Sequence, residues 1–405
     1  MCVIIIKRFG KLNILILCSK MDISGKSPWL TNELIEQFKT EGDIVDVIFN
    51  DWSSTNAEQS MELSDGSIFL VRPRIDKYGK LYKWLISGVG LWRDVSQKIA
   101  RDRYDLIIHF SPAMTGGFLN WLFKKKYKCA SFFILWDFFP YHHYQIGLLP
   151  KVLLKPLSLL EKFYIYKSDF VGLMSQRNVE YFNNKYPDYC GEKKIVPIWG
   201  PNEVFQAGSG SISLIKEKYH IGDDDFVCVF GGQLEAGRGV DSILDIKKSI
   251  ISDRIKFIIL GSGSLKPAVE KRILSENIKN VVLYDSVPRD EYLTLVSACH
   301  LGIVATVDNV DVPTFPSKTI DYFRCSVPVI SLVEESTDYG EFVEKIACAG
   351  YSFTHKQINE VVKCIQAMAN DPSRCKKLGE NGAEYYQANL EVKFITNSLK
   401  SALRS

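Results

Sequence analysis

The sequence lacks paired cysteines and long apolar runs. Its ten cysteines are scattered singly along 405 residues, with no Cys-x-x-Cys pair and no nearby histidine ligands, which favours reduced thiols over disulfides or a zinc site. No apolar run reaches the roughly 18 residues that a transmembrane helix needs. The apolar N-terminus is broken by Lys7, Arg8 and Lys11 and has no small-residue cleavage site, so no signal peptide is predicted. These absences predict a cytoplasmic protein.

Internal repeats, low-complexity tracts and nucleic-acid-binding motifs are also missing. A chain of 405 residues exceeds one ordinary core, so two domains of roughly 150–200 residues each are expected. Residues 1–200 carry 27 Lys and Arg against 20 Asp and Glu, whereas residues 201–405 carry 23 against 27. The positive first half suggests an anionic partner, and the modest charge argues against nucleic acid.

Short, continuous apolar runs recur along the chain, each followed by a loop and a stretch with helical periodicity. Such runs suit strands buried on both faces, and their alternation with helices predicts parallel sheets. The predicted strands are Asn13–Cys18, Asp46–Phe49, Ser67–Val71, Leu106–Phe110, Ser131–Leu135, Phe170–Met174, Val227–Phe230, Phe257–Leu260, Val281–Tyr284, Leu301–Ala305 and Val329–Leu332.

The pattern of strands and helices nearly stops at Ile198–Ser213, where Gly, Pro and Ser cluster, and then restarts. We therefore predict an α/β protein with two doubly wound domains, over residues 1–200 and 201–382, and a terminal helix over residues 383–405. In such folds ligands bind at the carboxyl ends of the strands, here in the cleft between the two sheets.

Two glycine-rich turns follow strands of the second half. Gly231, Gly232 and Arg238 lie in the first, where glycines allow backbone N–H groups to approach an anion and an arginine can fork onto phosphate oxygens. A flexible turn with an exposed arginine remains the alternative. Gly261 and Gly263 form half of a dinucleotide fingerprint without its third glycine, which is a weak signal for NAD. A turn beside a ligand and a plain turn both remain open.

A third loop of the second half leads into a helix at Pro316-Ser317-Lys318. Ser317 is a candidate N-cap, and Lys318 then falls in the first turn, where a cation opposes the helix dipole. That position is better explained if Lys318 meets an anion together with the helix N-terminus. Asp321, one turn further on, is placed to accept hydrogen bonds from ribose hydroxyls. The alternative is a buried helix start with an extended lysine.

Together these residues resemble the retaining, metal-independent glycosyltransferases of the GT-B fold, family 4, and more narrowly bacterial polysaccharide and O-antigen transferases with a Pro-Ser-Lys motif. The resemblance covers nearly the whole chain and is stronger in the second half. The segments that carry it are Phe230–Gly239, Ile258–Gly263, Pro316–Lys318 with Asp321-Tyr322, Val327–Ile330, Trp136–Pro140 and Ser168–Ser175.

The resemblance implies two Rossmann-like domains and a C-terminal helix that packs back on the first of them. Arg238 and Lys318 would balance the diphosphate leaving group, and Asp321 would hold the ribose. Two neighbouring cations can replace a metal, so the expected donor is a nucleotide diphosphate sugar and no metal or other cofactor is expected. Of the family's two glutamates, the second is Asp321 here and the first falls on Pro313; a frequent family arginine falls on Gly232.

In the first half, Asp137 is the best candidate for the catalytic pocket. It follows a predicted buried strand, where a carboxylate is costly unless it is hydrogen-bonded or functional. It is placed to accept a proton from an acceptor hydroxyl or to orient that hydroxyl; a cap of the next turn is the alternative. His142 and His143 follow in the same loop. His109 ends another strand and either lines the cleft or is a core histidine.

Positive charge in the first half is interleaved with aromatic residues and leucines in Lys77–Arg93, Phe118–Lys128 and Ile146–Lys167. Basic amphipathic segments of this kind suit an anionic membrane surface. Core helices with basic outer faces explain any one of them, but the three together favour peripheral association with the inner face of the cell membrane.

The predicted function is transfer of a hexosyl or N-acetylhexosaminyl group to a glycan or polyprenyl-diphosphate-linked acceptor in surface polysaccharide (O-antigen or capsule) biosynthesis. A sugar-nucleotide epimerase and a nucleotide-sugar-binding assembly subunit without catalysis remain the alternatives.

Overall fold

The structure is a computed structural model that describes residues 10–23, 29–50 and 102–403, together with the backbone of two short strands at 61–63 and 68–71. The basic segment Lys77–Arg93 lies outside the described residues, so its membrane role stays a prediction. Among the residues described, no helix is both long and apolar enough to span a bilayer.

Fourteen strands and the helices between them alternate along the described residues. The strands are β1 (Asn13–Cys18), β2 (Ile44–Asn50), β3 (Met61–Leu63), β4 (Ile68–Val71), β5 (Leu106–Phe110), β6 (Ala130–Leu135), β7 (Phe170–Leu173), β8 (Glu192–Ile195), β9 (Phe226–Gly231), β10 (Ile255–Leu260), β11 (Val281–Tyr284), β12 (Leu301–Ala305), β13 (Val329–Leu332) and β14 (Gly350–Phe353). The helices are α1 (Leu30–Thr40), α2 (Ala113–Tyr127), α3 (Tyr141–Gln145), α4 (Lys151–Ile165), α5 (Gln176–Lys185), α6 (Ser209–Lys218), α7 (Val240–Lys248), α8 (Lys266–Ser275), α9 (Arg289–Ala298), α10 (Lys318–Arg324), α11 (Tyr339–Glu341, continued by a π-helical turn over Phe342–Ile346), α12 (Ile358–Ala369), α13 (Pro372–Asn389) and α14 (Val392–Ala402).

The strands form two sheets, in the order β3-β4-β2-β1-β5-β6-β7-β8 and β11-β10-β9-β12-β13-β14. All neighbouring strands run parallel except β3 and β4. The chain winds outwards in both directions from β1 in the first sheet and from β9 in the second. The strand order therefore reverses beside β1 and beside β9, and these are the points where doubly wound folds bind ligands. The predicted two-domain α/β architecture is confirmed.

The predicted strands all appear, with bounds that are identical or shifted by one or two residues, but β3, β8 and β14 were missed. All three are edge strands of their sheets. β8 has the sequence EKKI and is largely exposed, and β14 begins at a glycine and is only partly buried. An edge strand needs no continuous apolar run, because solvent covers part of it.

The C-terminal segment contains two helices, where one over residues 383–405 was predicted. α13 packs on α10 of the second domain, and only α14 packs on α1 of the first. The helix breaks between α13 and α14 because two backbone groups form hydrogen bonds with Gly200 rather than within a continuous helix. Gly200 N donates to Leu390 O at 3.0 Å, and Val392 N donates to Gly200 O at 2.9 Å. Lys400 then contacts Glu41 at 2.6 Å and Asp43 at 2.5 Å. The predicted return of the C-terminal helix to the N-terminal domain is confirmed for α14.

Candidate active site

A cavity of about 340 Å³ lies between the carboxyl ends of β1 and β9, the two switch-point strands. Its volume is within the range of small-molecule sites. The first domain contributes Lys20 and Trp29, and the second contributes the other lining residues, Gly231, Gly232, Gln233, Arg238, Leu260, Gly261, Ser286, Val287, Arg289, Tyr292, Ser317, Lys318 and Asp321. Of the residues predicted to bind the donor, only Gly263 is not among them.

The floor of the cavity is glycine backbone. Gly232 has a φ of +148°, and a Cβ there would lie 2.8 Å from Cε of Lys318. A side chain at Gly231 would overlap the ring of Tyr292, and one at Gly261 would overlap the carbonyl of Gly232. The place where the resemblance puts an arginine, at Gly232, is therefore covered by the Lys318 side chain, which approaches only because the loop has no Cβ.

Lys318 begins helix α10 and projects over β9, with Nζ 4.4 Å from the ring centroid of Phe230. Burial and the positive charge of Arg238 lower the pKa of Lys318 to about 7, and the charge of Asp321 offsets part of this shift. Ser317 holds the N-cap position, but its side chain makes no capping hydrogen bond and its backbone is already helical. Its predicted role as a side-chain cap is therefore wrong. Lys318 and Arg238 therefore lie near each other in the wall of the cavity that the second domain forms.

Asp321 does not stand free in the cavity. Nη1 of Arg289 donates to Oδ2 of Asp321 at 2.8 Å, and Nη2 donates to Oδ1. This two-pronged pair is the strongest geometry available to a carboxylate and a guanidinium. Both oxygens of Asp321 thus accept from Arg289, and the ribose role that the resemblance implies for Asp321 stays a prediction. Sequence reasoning missed Arg289, although it too is a cation in the first turn of a helix.

The first-domain wall of the cavity is formed by Lys20, which follows β1, and by Trp29. Nζ of Lys20 lies 4.1 Å from the centroid of the Trp29 ring. Asp137 is exposed after the end of β6, and its N–H donates to Oγ of Ser111 at 3.1 Å. Its carboxylate acts on Lys20, whose pKa is lowered by burial and by Arg238 and raised by Asp137. Asp137 is thus near the cavity without lining it.

The three predicted histidines have different surroundings. A Cβ on Gly237 would lie 4.0 Å from Cε1 of His142, so this histidine faces the glycine loop from the other domain. Burial lowers the pKa of His143, and Asp137 offsets part of the shift. His109 does not line the cleft: it is 0% exposed, contacts Oγ of Ser168 at 2.9 Å, and has a pKa lowered by burial to about 3. The core alternative holds for His109, because β5 is a central strand.

Comparisons with known proteins identify the second domain. Residues 211–385 match the family model described as "Glycosyl transferases group 1". The chain carries a glycosyltransferase domain. The predicted enzyme class is thereby confirmed, whereas family 4 membership and the O-antigen subtype stay predictions. No sequence among curated proteins matches the chain.

Solved structures share the fold of this glycosyltransferase over nearly its whole length. Sucrose-phosphate synthase from Thermosynechococcus elongatus is 16% identical with a TM-score of 0.76, covering 97% of this chain and 98% of its own. Anabaena HepE in complex with UDP and glucose is 12% identical (TM-score 0.69; 97% and 99% covered). WaaG, a glycosyltransferase involved in lipopolysaccharide biosynthesis, is 11% identical (TM-score 0.67; 96% and 98% covered). At these identities the likeness shows the GT-B fold.

The loop that delivers Lys318 in this glycosyltransferase is held by both domains. Val310 and Val312 pack into the first-domain core, and Oε1 of Gln145 accepts from the N–H of Asp311 at 3.0 Å. Within the second domain, Oε1 of the buried Glu334 accepts from the N–H of Thr314 at 2.8 Å. The position of α10 therefore depends on contacts across the cleft. In the part of the chain that the structure describes, no group of three or more His, Cys, Asp and Glu residues could hold a metal ion.

Proposed function

We propose that this glycosyltransferase moves a sugar from a nucleoside diphosphate sugar to a hydroxyl of a lipid-linked glycan, without a metal and with retention of configuration. The observation that carries the proposal is the convergence of Arg238 and Lys318 on one cavity over a glycine floor. The charge of Arg238 lowers the pKa of Lys318, and a divalent anion between the two cations would relieve this repulsion. The structure of HepE in complex with UDP and glucose supports a donor of this class.

In the proposed reaction the bond between the anomeric carbon and the diphosphate oxygen breaks, and its electron pair stays on that oxygen. Arg238 and Lys318 stabilise the negative charge that develops there, which is the largest catalytic contribution in sites of this kind. The acceptor hydroxyl oxygen forms the new bond to the anomeric carbon and loses its proton. Asp137, exposed on the first-domain side, orients that hydroxyl or accepts its proton.

The Arg289–Asp321 pair forms the nucleoside end of the proposed donor site. Both residues line the cavity beside Tyr292 and Ser286. The outer lone pairs of Asp321 accept from ribose hydroxyls while Arg289 holds the carboxylate in place. This assigns Asp321 the ribose role that the resemblance implies, with Arg289 as its positioning residue.

A lipid-linked acceptor fits the surface of the first domain. Four apolar side chains, which we call the apolar stripe, are exposed along α4 and the residues before it: Leu148 (59% exposed), Val152 (78%), Leu159 (59%) and Phe163 (45%). Lys155 lies on the same side, and Lys125 stacks on Trp121 at 4.3 Å. Apolar side chains flanked by lysines suit an anionic bilayer surface. Lys124 is excluded from this role, because its ammonium pairs with Asp169 at 2.6 Å.

The donor reaction is tested by incubating the protein with UDP-, GDP- and dTDP-sugars, with and without lipid-linked acceptors, and measuring released nucleoside diphosphate. We expect one donor class to be turned over, and Arg238→Ala or Lys318→Ala to lower the rate by about 10²- to 10³-fold. Lys271→Ala, an exposed lysine on α8, is the matched control. A changed sugar on an intact nucleotide would identify an epimerase, and binding without turnover on any acceptor would identify a binding subunit.

Membrane association is tested by cosedimentation with vesicles containing phosphatidylglycerol. Leu159→Glu in the apolar stripe should release the protein, whereas Leu214→Glu, an exposed leucine on α6 of the second domain (68% exposed), should not. Equal sedimentation of the two variants would remove the membrane from the proposal.

A further inference from the structure

We propose that Lys20 is a third catalytic cation, supplied by the first domain, which contacts the diphosphate of the donor from the side opposite Arg238 and Lys318. This inference rests on the proposed function and extends it to a residue that no sequence motif marks.

The topology places Lys20 at the switch point of the first sheet. β1 pairs with β2 on one side and β5 on the other, and the chain winds outwards from it in both directions. Lys20 comes two residues after the end of β1, as the glycine loop comes directly after β9 in the second sheet. The two sheets therefore direct their switch points into one cavity, and a cation stands at each.

The backbone around Lys20 is fixed to the start of α1. The carbonyl of Lys20 accepts from Oγ1 of Thr31 at 2.5 Å. Asn32 accepts from the N–H of Asp22 at 2.9 Å and donates to its carbonyl at 2.7 Å, and it also accepts from the N–H of Trp29 at 3.0 Å. The Lys20 side chain is thus held at the cavity wall by a fixed backbone. Such preorganisation lowers the cost of placing its charge against a substrate.

The surroundings of Lys20 favour an anionic ligand. Its ammonium lies 4.1 Å from the centroid of the Trp29 ring, and this cation–π contact stabilises the charged form of the lysine. Lys20 is exposed to solvent overall, but partial desolvation of its ammonium and the charge of Arg238 lower its pKa, and Asp137 offsets only part of that shift. Arg238 also lowers the pKa of Lys318. A diphosphate between the three cations would relieve the repulsion that Arg238 exerts on both lysines.

In this proposal the three cations come from both domains and have different roles. Arg238 and Lys318 bind the diphosphate from the second domain. Lys20 stabilises the negative charge that the diphosphate oxygen gains as its bond to the anomeric carbon breaks. Lys20 stays protonated during this step. Because Lys20 belongs to the first domain, it also couples the leaving group to the domain that carries Asp137.

The test compares Lys20→Met and Lys20→Arg with Lys11→Met, a matched control that removes an exposed lysine at the other end of β1. Donor turnover is measured, together with calorimetric affinity for UDP, GDP and dTDP in turn. Lys20→Met should lower kcat/KM by about 10²-fold and weaken diphosphate binding by about 10-fold. Lys20→Arg should recover most of both, and Lys11→Met should match the wild type. Thermal melting verifies that each variant is folded.

Two results separate this inference from the proposed function. If Arg238→Ala and Lys318→Ala impair turnover while Lys20→Met behaves as Lys11→Met does, the third cation is refuted and the proposed function stands. If the wild-type protein binds none of the three diphosphates, the proposed function fails, and the role of Lys20 fails with it.

Discussion

The protonation state of Lys318 should govern the activity of this enzyme in the neutral pH range. The pKa of this lysine is lowered from 10.5 to about 7 by burial and by Arg238. A lysine with a lowered pKa is cationic below that value and neutral above it, so the charge that meets the diphosphate is present at pH 6 and largely absent at pH 8. The resulting pH dependence of kcat/KM reports the free enzyme.

The size of the effect follows from the titration. With a pKa of about 7, about one-half of the free enzyme carries the cation at pH 7 and about one-tenth at pH 8. The kcat/KM for the donor should therefore fall about fivefold between pH 7 and pH 8 and then about tenfold per pH unit. Lys318→Arg should abolish this fall, because a guanidinium keeps its proton throughout the range. Lys318→Met should lower kcat/KM by about 10²- to 10³-fold at pH 6 and show no fall due to this group.

The assay is continuous detection of nucleoside diphosphate release from the preferred donor between pH 5.5 and 9, at subsaturating donor. The control is Lys271→Met, which should reproduce the wild-type profile. A wild-type profile that is flat from pH 6 to pH 9, or a fall that persists unchanged in Lys318→Arg, would refute the assignment of this limb to Lys318.

Three further changes test other parts of the structure. Arg289→Ala and Arg289→Lys should both weaken calorimetric nucleoside diphosphate binding by about tenfold or more, because an ammonium cannot replace a two-pronged contact; recovery in the lysine variant would contradict this. Gly232→Ala should displace the lysine above it and lower turnover at least tenfold, whereas Gly210→Ala, with open space around its Cβ, should leave turnover unchanged. Lys400→Met should lower the free energy of unfolding by about 1–3 kcal/mol in urea titrations, because it removes the cation that neutralises the carboxylates of Glu41 and Asp43; Lys376→Met, on an exposed lysine, should change it by less than about 0.5 kcal/mol.

The central strands of both sheets could be predicted from the sequence because burial on two faces demands a continuous apolar run. β1, β5, β11, β12 and β13 have the predicted bounds. Of the four edge strands only β11, with the apolar run VVLY, could be predicted in this way; β3, β8 and β14 could not, since solvent covers one side of an edge strand. The split of the C-terminal helix depends on hydrogen bonds with Gly200, nearly 200 residues away in sequence, so no local sequence pattern predicts it.

The candidate site was predictable where local backbone chemistry marks it. Glycines after a strand and a lysine at a helix start are local signals, and they led to Arg238 and Lys318. Arg289 and Lys20 acquire their meaning only from partners that folding brings together, namely Asp321 for one and the opposite domain for the other. His109 could not be assigned from the sequence, because the local pattern around a histidine at the end of a strand is the same whether it lines a cleft or lies in a core.

The central claim is that the cavity between the two switch points binds the diphosphate of a nucleotide-sugar through Arg238 and Lys318. The most direct measurement is calorimetric titration of the wild type, Arg238→Ala, Lys318→Ala and Lys271→Ala with the nucleoside diphosphate of the preferred donor and with the corresponding nucleoside. We predict that both cavity variants lose about 10- to 100-fold in affinity for the diphosphate, that neither changes its affinity for the nucleoside, and that the control binds both as the wild type does. Unchanged diphosphate affinity in both cavity variants would contradict the account.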